Sequence, residues 1–134
     1  MPEKRTIDRA RKDKREGKAP TTQAGEFVRE EMDHIREGKH GARSAKQAIA
    51  IGLSKARRAG VKLATPKKGT TSESTRRQAA RDTATGQKGG AKKVSAKRSR
   101  AVTQALKKEG SSAASHLALS RQAKSAAKRR KAAR

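Results

Sequence analysis

The sequence predicts an all-α protein without a sizeable core: a small helical hairpin followed by a long, partly disordered, Ala/Lys/Arg-rich helical arm. Three observations predict it. Ala, Lys, Arg and Gln, all good helix formers, recur throughout. Ile, Leu, Val and Phe supply only fourteen of the 134 residues, with Phe27 the single aromatic. Chains with less than about a fifth of such residues and a high net charge bury too little to offset their ordering entropy. The third observation is the stretch S-A-K-Q-A-I-A-I-G-L-S-K-A-R-R-A-G, residues 44–60, which carries its own helix start and stop.

In chain order, residues 1–20 mix both charge signs around one large apolar residue, Ile7, and read as a charged, frayed N-terminal segment broken at Gly17 to Pro20. Residues 21–60 read as the hairpin. Thr21 or Thr22 caps an acidic helix over 22–37, with Gly38 as its stop. Phe27, Val28, Met32 and Ile35 line its apolar face, and Glu26, Glu30, Glu31, Asp33 and Glu37 outnumber Arg29 and Arg36. Ser44 and Gln47 have capping-box spacing, opening a basic amphipathic helix over 44–59 that ends at Gly60. Ala45, Ala48, Ile49, Leu53 and Ala56 recur at three- and four-residue steps on one face, with Gly52 in the same stripe. The short link Gly38–Gly41 folds the two helices antiparallel, so Phe27, Val28, Met32 and Ile35 meet Ile49 and Leu53. The acidic face of the first is then expected beside the basic face of the second. About six large side chains are too few for a robust core, so a homodimer or a protein partner through the hairpin is expected to add stability.

Residues 61–93, rich in Lys, Thr, Ser and Gly, read as a flexible basic linker with a weak helix over 74–84. Residues 94–134 read as a basic tail, helical or disordered, in two helices divided near Glu109–Ser112. Val102, Leu106, Leu117 and Leu119 are their large apolar residues.

Charge is the strongest functional signal. The net charge is +25, yet residues 1–37 hold nine acids against ten bases, whereas residues 38–134 hold three against twenty-seven. So lopsided a distribution predicts a polyanionic partner, met by phosphate neutralisation. The expected contacts are Lys46, Arg57, Arg58, Lys67, Lys68, Arg76, Arg77, Lys92, Lys93, Lys97, Arg98, Arg100, Lys107, Lys108, Lys128, Arg129, Arg130 and Lys131. Without stacking aromatics, single-strand platforms are disfavoured, and duplex DNA read without sequence preference is favoured. The same charges suit RNA or the ribosome, and a hairpin that docks a protein partner is a third reading.

Other chemistries find little footing. There is no cysteine, hence no disulfide or thiolate nucleophile. No nucleophile has a neighbouring base, no Gly-rich loop has phosphate-cradle spacing, and no pocket-sized core is available, so no enzyme and no cofactor are expected. His34 and His40 stand six apart across the predicted turn, with Asp33 beside the first. That spacing is not a zinc motif, and no metal centre is expected. The tail helices carry Ala where a membrane-surface helix carries Trp, Phe or Leu, so membrane is not an expected partner. No apolar run has the length of a signal peptide or a span, and a cytoplasmic, nucleoid-associated location is expected.

The block R-S-A-K-Q-A-I-A-I-G-L-S-K-A-R-R-A-G (Arg43–Gly60), preceded by an acidic helix ending in K-H-G, resembles a family of small basic bacterial proteins of unknown function, whose members are often labelled DNA-binding or hypothetical. The closing L-A-L-S-R-Q-A-K-S-A-A-K-R-R is similar to the tails of such proteins, and its composition to linker-histone and histone-like tails. The resemblance covers about residues 26–69 and implies a bacterial or phage origin without a mechanism.

Overall fold

A computed structural model describes residues 2–88 and 95–132. Helices α1 (Lys4–Arg15), α2 (Pro20–Arg36), α3 (Ala45–Arg58), α4 (Glu73–Lys88), α5 (Ala96–Lys108) and α6 (His116–Ala132) follow one another, with a 3-10 turn at Ser112–Ala114 before the last. No strand occurs among the described residues beyond an isolated bridge between Lys68 and Thr71. The chain is all-α, as its composition predicts. By its contacts it divides into two units: Met1–Glu30 with Ile51–Lys93, and Glu31–Ala50 with Val94–Arg134.

In the first unit the apolar centre is Ala10, Ala24, Phe27, Ala56 and Val61, with Ile7, Leu53 and Leu63 packed against it. Residues 1–20, expected to be frayed, therefore contribute a docked helix, with Thr6, Ala10 and Asp13 buried. The reason is electrostatic as much as apolar. Glu30 Oε1 accepts from the Glu3 backbone N–H (2.6 Å) and the Thr6 hydroxyl (3.3 Å), and Glu26 Oε2 accepts from Arg9 Nε (2.8 Å). In this unit the acidic face of α2 is thus turned to α1, not to the basic face of α3. The Lys18 ammonium, hydrogen-bonded to Glu16 and then to Asp13, is held above its ordinary pKa and closes the end of α1. α2 starts at Pro20 rather than after a threonine cap. A proline in the first turn gives up an N–H that has no helical partner there, and its fixed φ suits the helix.

α2 and α3 come into close contact where Gly52 faces Val28: a Cβ at Gly52 would lie 2.6 Å from Val28 Cα. Gly52→Ala should therefore destabilise the fold by about 1–3 kcal/mol through overpacking, although Ala is favoured over Gly in a helix by up to about 1 kcal/mol. A urea midpoint shifted upward would show that the two helices can separate at no cost.

The segment 61–93, expected to be linker, holds α4, and α4 is docked on α3. Ser54 Oγ donates to Asp82 Oδ2 (2.8 Å), Arg58 Nε donates to Asp82 Oδ1 (2.9 Å), and Gln87 Nε2 donates to the Gly60 carbonyl (3.2 Å). Gly86 sits against the Arg57 carbonyl so closely that no side chain fits. Ala79 and Asp82 are buried in the same face. This interface is built from small residues, polar side chains and one buried carboxylate, which leave no trace in hydrophobic periodicity.

The second unit buries Met32, Ile35, Ala42, Ala45, Ala48, Ala113 and Ala114. The Gly41 N–H donates to the Leu106 carbonyl (2.8 Å) and the Ala42 N–H to the Gly110 carbonyl (3.0 Å), while Arg36 Nε donates to the Ala114 carbonyl (3.0 Å). The arm is helical over α5 and α6, as its composition predicts, and attached at its α5–α6 junction. Neither α5 nor α6 has a buried residue, and Val102 and Leu117 are about 60% exposed.

Of the six residues expected to pack the hairpin, Phe27, Met32 and Ile35 are buried, and Val28, Ile49 and Leu53 are half-buried. The alanines between them, Ala24, Ala45, Ala48 and Ala56, are buried as well.

Candidate nucleic-acid interface

The cations divide into those engaged inside the protein and those open to solvent. Arg57, expected to contact phosphate, belongs instead to the first group. It is 7% exposed, and its guanidinium donates to the Ala64 carbonyl (2.9 Å). Burial pushes its pKa below the ordinary arginine value, and only the charge of Asp82 draws it back. Arg58 keeps an exposed side chain, but the buried Asp82 carboxylate takes its Nε. Arg76 donates to the Glu73 carboxylate (3.0 Å) and to the Pro66 carbonyl (2.9 Å), so it braces the turn before α4. α3 therefore uses two of its four cations to hold its neighbours, Arg58 on Asp82 of α4 and Arg57 on the irregular segment that follows α3.

The open group begins with Lys67 and Lys68. They are exposed on a tight turn in which the Thr70 N–H donates to the Lys67 carbonyl (3.1 Å) and Gly69 has φ +89°. Arg77 is exposed on α4. On α5, Lys97, Arg98, Arg100, Lys107 and Lys108 are all exposed, as are Arg121, Lys124, Lys128, Arg129, Arg130 and Lys131 on α6. Neither helix contains an acid, and none of these side chains pairs with a carboxylate among the described residues. Lys92 and Lys93 lie outside the described residues.

The second unit shapes part of this charge into a site. An open cleft of about 520 Å³ is lined by Arg43, Ser44, Lys46, Ser112, Ser115, Arg121, Gln122 and Ser125, among others, and by no carboxylate. Two helices begin at its edge. Ser44 Oγ accepts from the Gln47 N–H (3.1 Å) while Gln47 Oε1 reaches back to the Arg43 N–H (2.6 Å), and Ser115 Oγ accepts from the Ala118 N–H (3.1 Å). Helix N-termini add partial positive charge to the three cations.

Residues 4–69 match the model of a family of unknown function, DUF6496.

The matched span runs from α1 through α3 to the turn at Gly69, and it contains the block Arg43–Gly60 that carries the resemblance. α4, α5 and α6 lie beyond it. No curated protein and no solved structure matches the chain.

Sequence reasoning placed Lys46 in the site but passed over Arg43, Arg121 and the serines around them. The spacing of about 75 residues between them conceals that they line one cleft. It also set aside Asp33, His34 and His40 as metal ligands and did not consider Glu31; the structure brings His34 and His40 within ligand distance of Glu31, whereas Asp33 is exposed and not among them.

Proposed function

We propose that this protein binds nucleic acid without sequence preference, duplex DNA before RNA, by neutralising phosphates, and that its role is non-enzymatic and lies on the bacterial nucleoid. The observation that carries the reading is the cation surface of α5 and α6: every Lys and Arg described there is exposed, and none is balanced by a neighbouring carboxylate. Such a surface gains counterion-release entropy on any polyphosphate. The acid-free cleft beside Arg43, Lys46 and Arg121 is large enough for a backbone phosphate, and serine hydroxyls there complement phosphate oxygens as positioning contacts. No described helix is long and apolar enough to cross a membrane.

The test is a gel-shift competition of random duplex DNA against structured RNA across a salt series. The expected outcome is preferential retention on the duplex; preference for RNA would move the protein to the ribosome or transcripts. Loss of both by a full-length chain with Ala at Lys97, Arg98, Lys107 and Lys108, its helicity intact, supports the arm as the binding surface. Substitution is preferable to removing residues 61–134, because Val61 and α4 belong to the packing of the first unit.

A further inference from the structure

Glu31 and His34 stand three residues apart on α2, a spacing that puts both side chains on one side of the helix. Immediately beyond them the helix is stopped. Gly38 takes φ +78°, its N–H donates to the Ile35 carbonyl (3.2 Å), and the Lys39 N–H donates to the His34 carbonyl (3.0 Å), the paired bonds of a Schellman ending. The reversed chain is then pinned through Gly41 and Ala42 to the carbonyls of Leu106 and Gly110. No side chain fits at Gly41, where a Cβ would collide with the Glu109 carbonyl.

This reversal sets His40 against Glu31. His40 Nε2 lies 3.1 Å from Glu31 Oε2, and the rings of His34 and His40 meet edge to face with centroids 6.2 Å apart. One ligand atom from each of Glu31, His34 and His40 falls within 4.8 Å of the others. The Glu31 carboxylate is fully buried and the His40 side chain 14% exposed.

The hydrogen bonds set the tautomer of His40 and the direction of its free lone pair. His40 Nδ1 is 2.9 Å from the Gly41 carbonyl, which only accepts, so Nδ1 carries the proton. A neutral ring then directs the Nε2 lone pair at a carboxylate oxygen. Two lone pairs at this separation repel unless a cation lies between them, either a second ring proton or a metal ion. An Nδ1–H bond to a backbone carbonyl is the outer contact that metal-ligating histidines use to set tautomer and ring orientation. Two zinc-type bonds of about 2.0–2.1 Å to atoms 3.1 Å apart enclose roughly 95–100°.

We propose that Glu31, His34 and His40 form a three-ligand site for a divalent transition metal of the zinc type, with a fourth position left to water. Two imidazoles and a carboxylate suit zinc, whereas calcium and magnesium prefer all-oxygen shells. The bound ion ties the end of α2 to the turn that leads into α3. Binding to the folded state alone makes this tie a source of stability.

The experiment uses the full chain, free of any affinity tag and stripped with a chelator, titrated with Co2+ and then with Zn2+. Expected are one equivalent of Co2+, visible d–d absorption of four-coordinate intensity, its discharge by one equivalent of Zn2+, and a rise in melting temperature with Zn2+. Glu31→Gln, which retains a hydrogen-bonding side chain beside His40, and His34→Ala should each weaken Co2+ binding by at least about 100-fold. His116→Ala, with unchanged helicity as control, should bind as the parent does. Absence of the absorption band and of any Zn2+ effect on melting in the parent chain overturns the proposal and leaves His40–Glu31 a proton-bridged pair. Equal loss on His116→Ala overturns it as well.

Discussion

Raising the salt from 50 to 200 mM is expected to weaken binding of the chain to a random DNA duplex by about 10³–10⁵-fold, the loss that follows when six to ten phosphates are neutralised. The number of cations available makes this range attainable. Eleven described Lys and Arg residues on α5 and α6 are exposed and free of carboxylate partners, so a majority need touch phosphate at once. The contrast with α3 sharpens the expectation. Substituting Lys128, Arg129, Arg130 and Lys131 together by Ala should reduce the slope of log affinity against log salt by about 3–4, close to one per lost contact. Substituting Arg57 should leave the slope unchanged, because its guanidinium is buried and bonded to the Ala64 carbonyl. A slope insensitive to the four-residue substitution would remove α6 from the interface. A slope that fell on losing Arg57 would mean that the first unit opens on binding.

Phe27→Ala is expected to cost about 3–5 kcal/mol of folding stability, read from the urea midpoint of the helical signal. For a domain of ordinary stability, about 5–15 kcal/mol, that is a large share. The site explains why the loss belongs at the upper end for its kind. Phe27 is 1% exposed, and three of its four partners in the buried cluster, Ala10, Ala24 and Ala56, are alanines close to their own backbones. These short side chains cannot swing into the space vacated by a ring, and only Ile7, Leu53 and Leu63 at the edge of the cluster can reach toward it, so much of the cavity stays open. Phe27→Leu, which keeps most of the volume, should cost less than half as much. Equal losses for the two variants would mean that ring shape, rather than filled volume, holds α1, α2 and α3 together.

Much of this architecture is legible without coordinates. The Ser44–Gln47 cap, the stop at Gly60, the helical arm and the apolar face through Phe27, Met32 and Ile35 follow from local rules: which residues cap, which end a helix and which recur every three or four positions. Such signals survive in a sequence because each depends on neighbours within a turn or two. The lopsided charge is equally local in origin, since it is a sum over residues and needs no fold.

What the coordinates added concerns partners distant in the chain. Glu26 and Glu30 identify α2 as acidic, but only the packing shows that they hold α1 through Arg9, Thr6 and the Glu3 backbone. Asp82 is an unremarkable acid in a polar segment until it is found beneath Ser54 and Arg58, where it converts supposed linker into a docked helix. Arg57 and Lys46 look alike as basic residues of one helix, yet the first is buried and the second lines an open cleft. Glu31, His34 and His40 become a constellation only after Gly38 turns the chain and the absence of a side chain at Gly41 lets the Glu109 backbone approach. The sequence by itself determined that the chain is helical, poor in core and rich in unbalanced positive charge. Tertiary structure alone decided which charges remain free, because pairing and burial depend on long-range distances that no local pattern encodes.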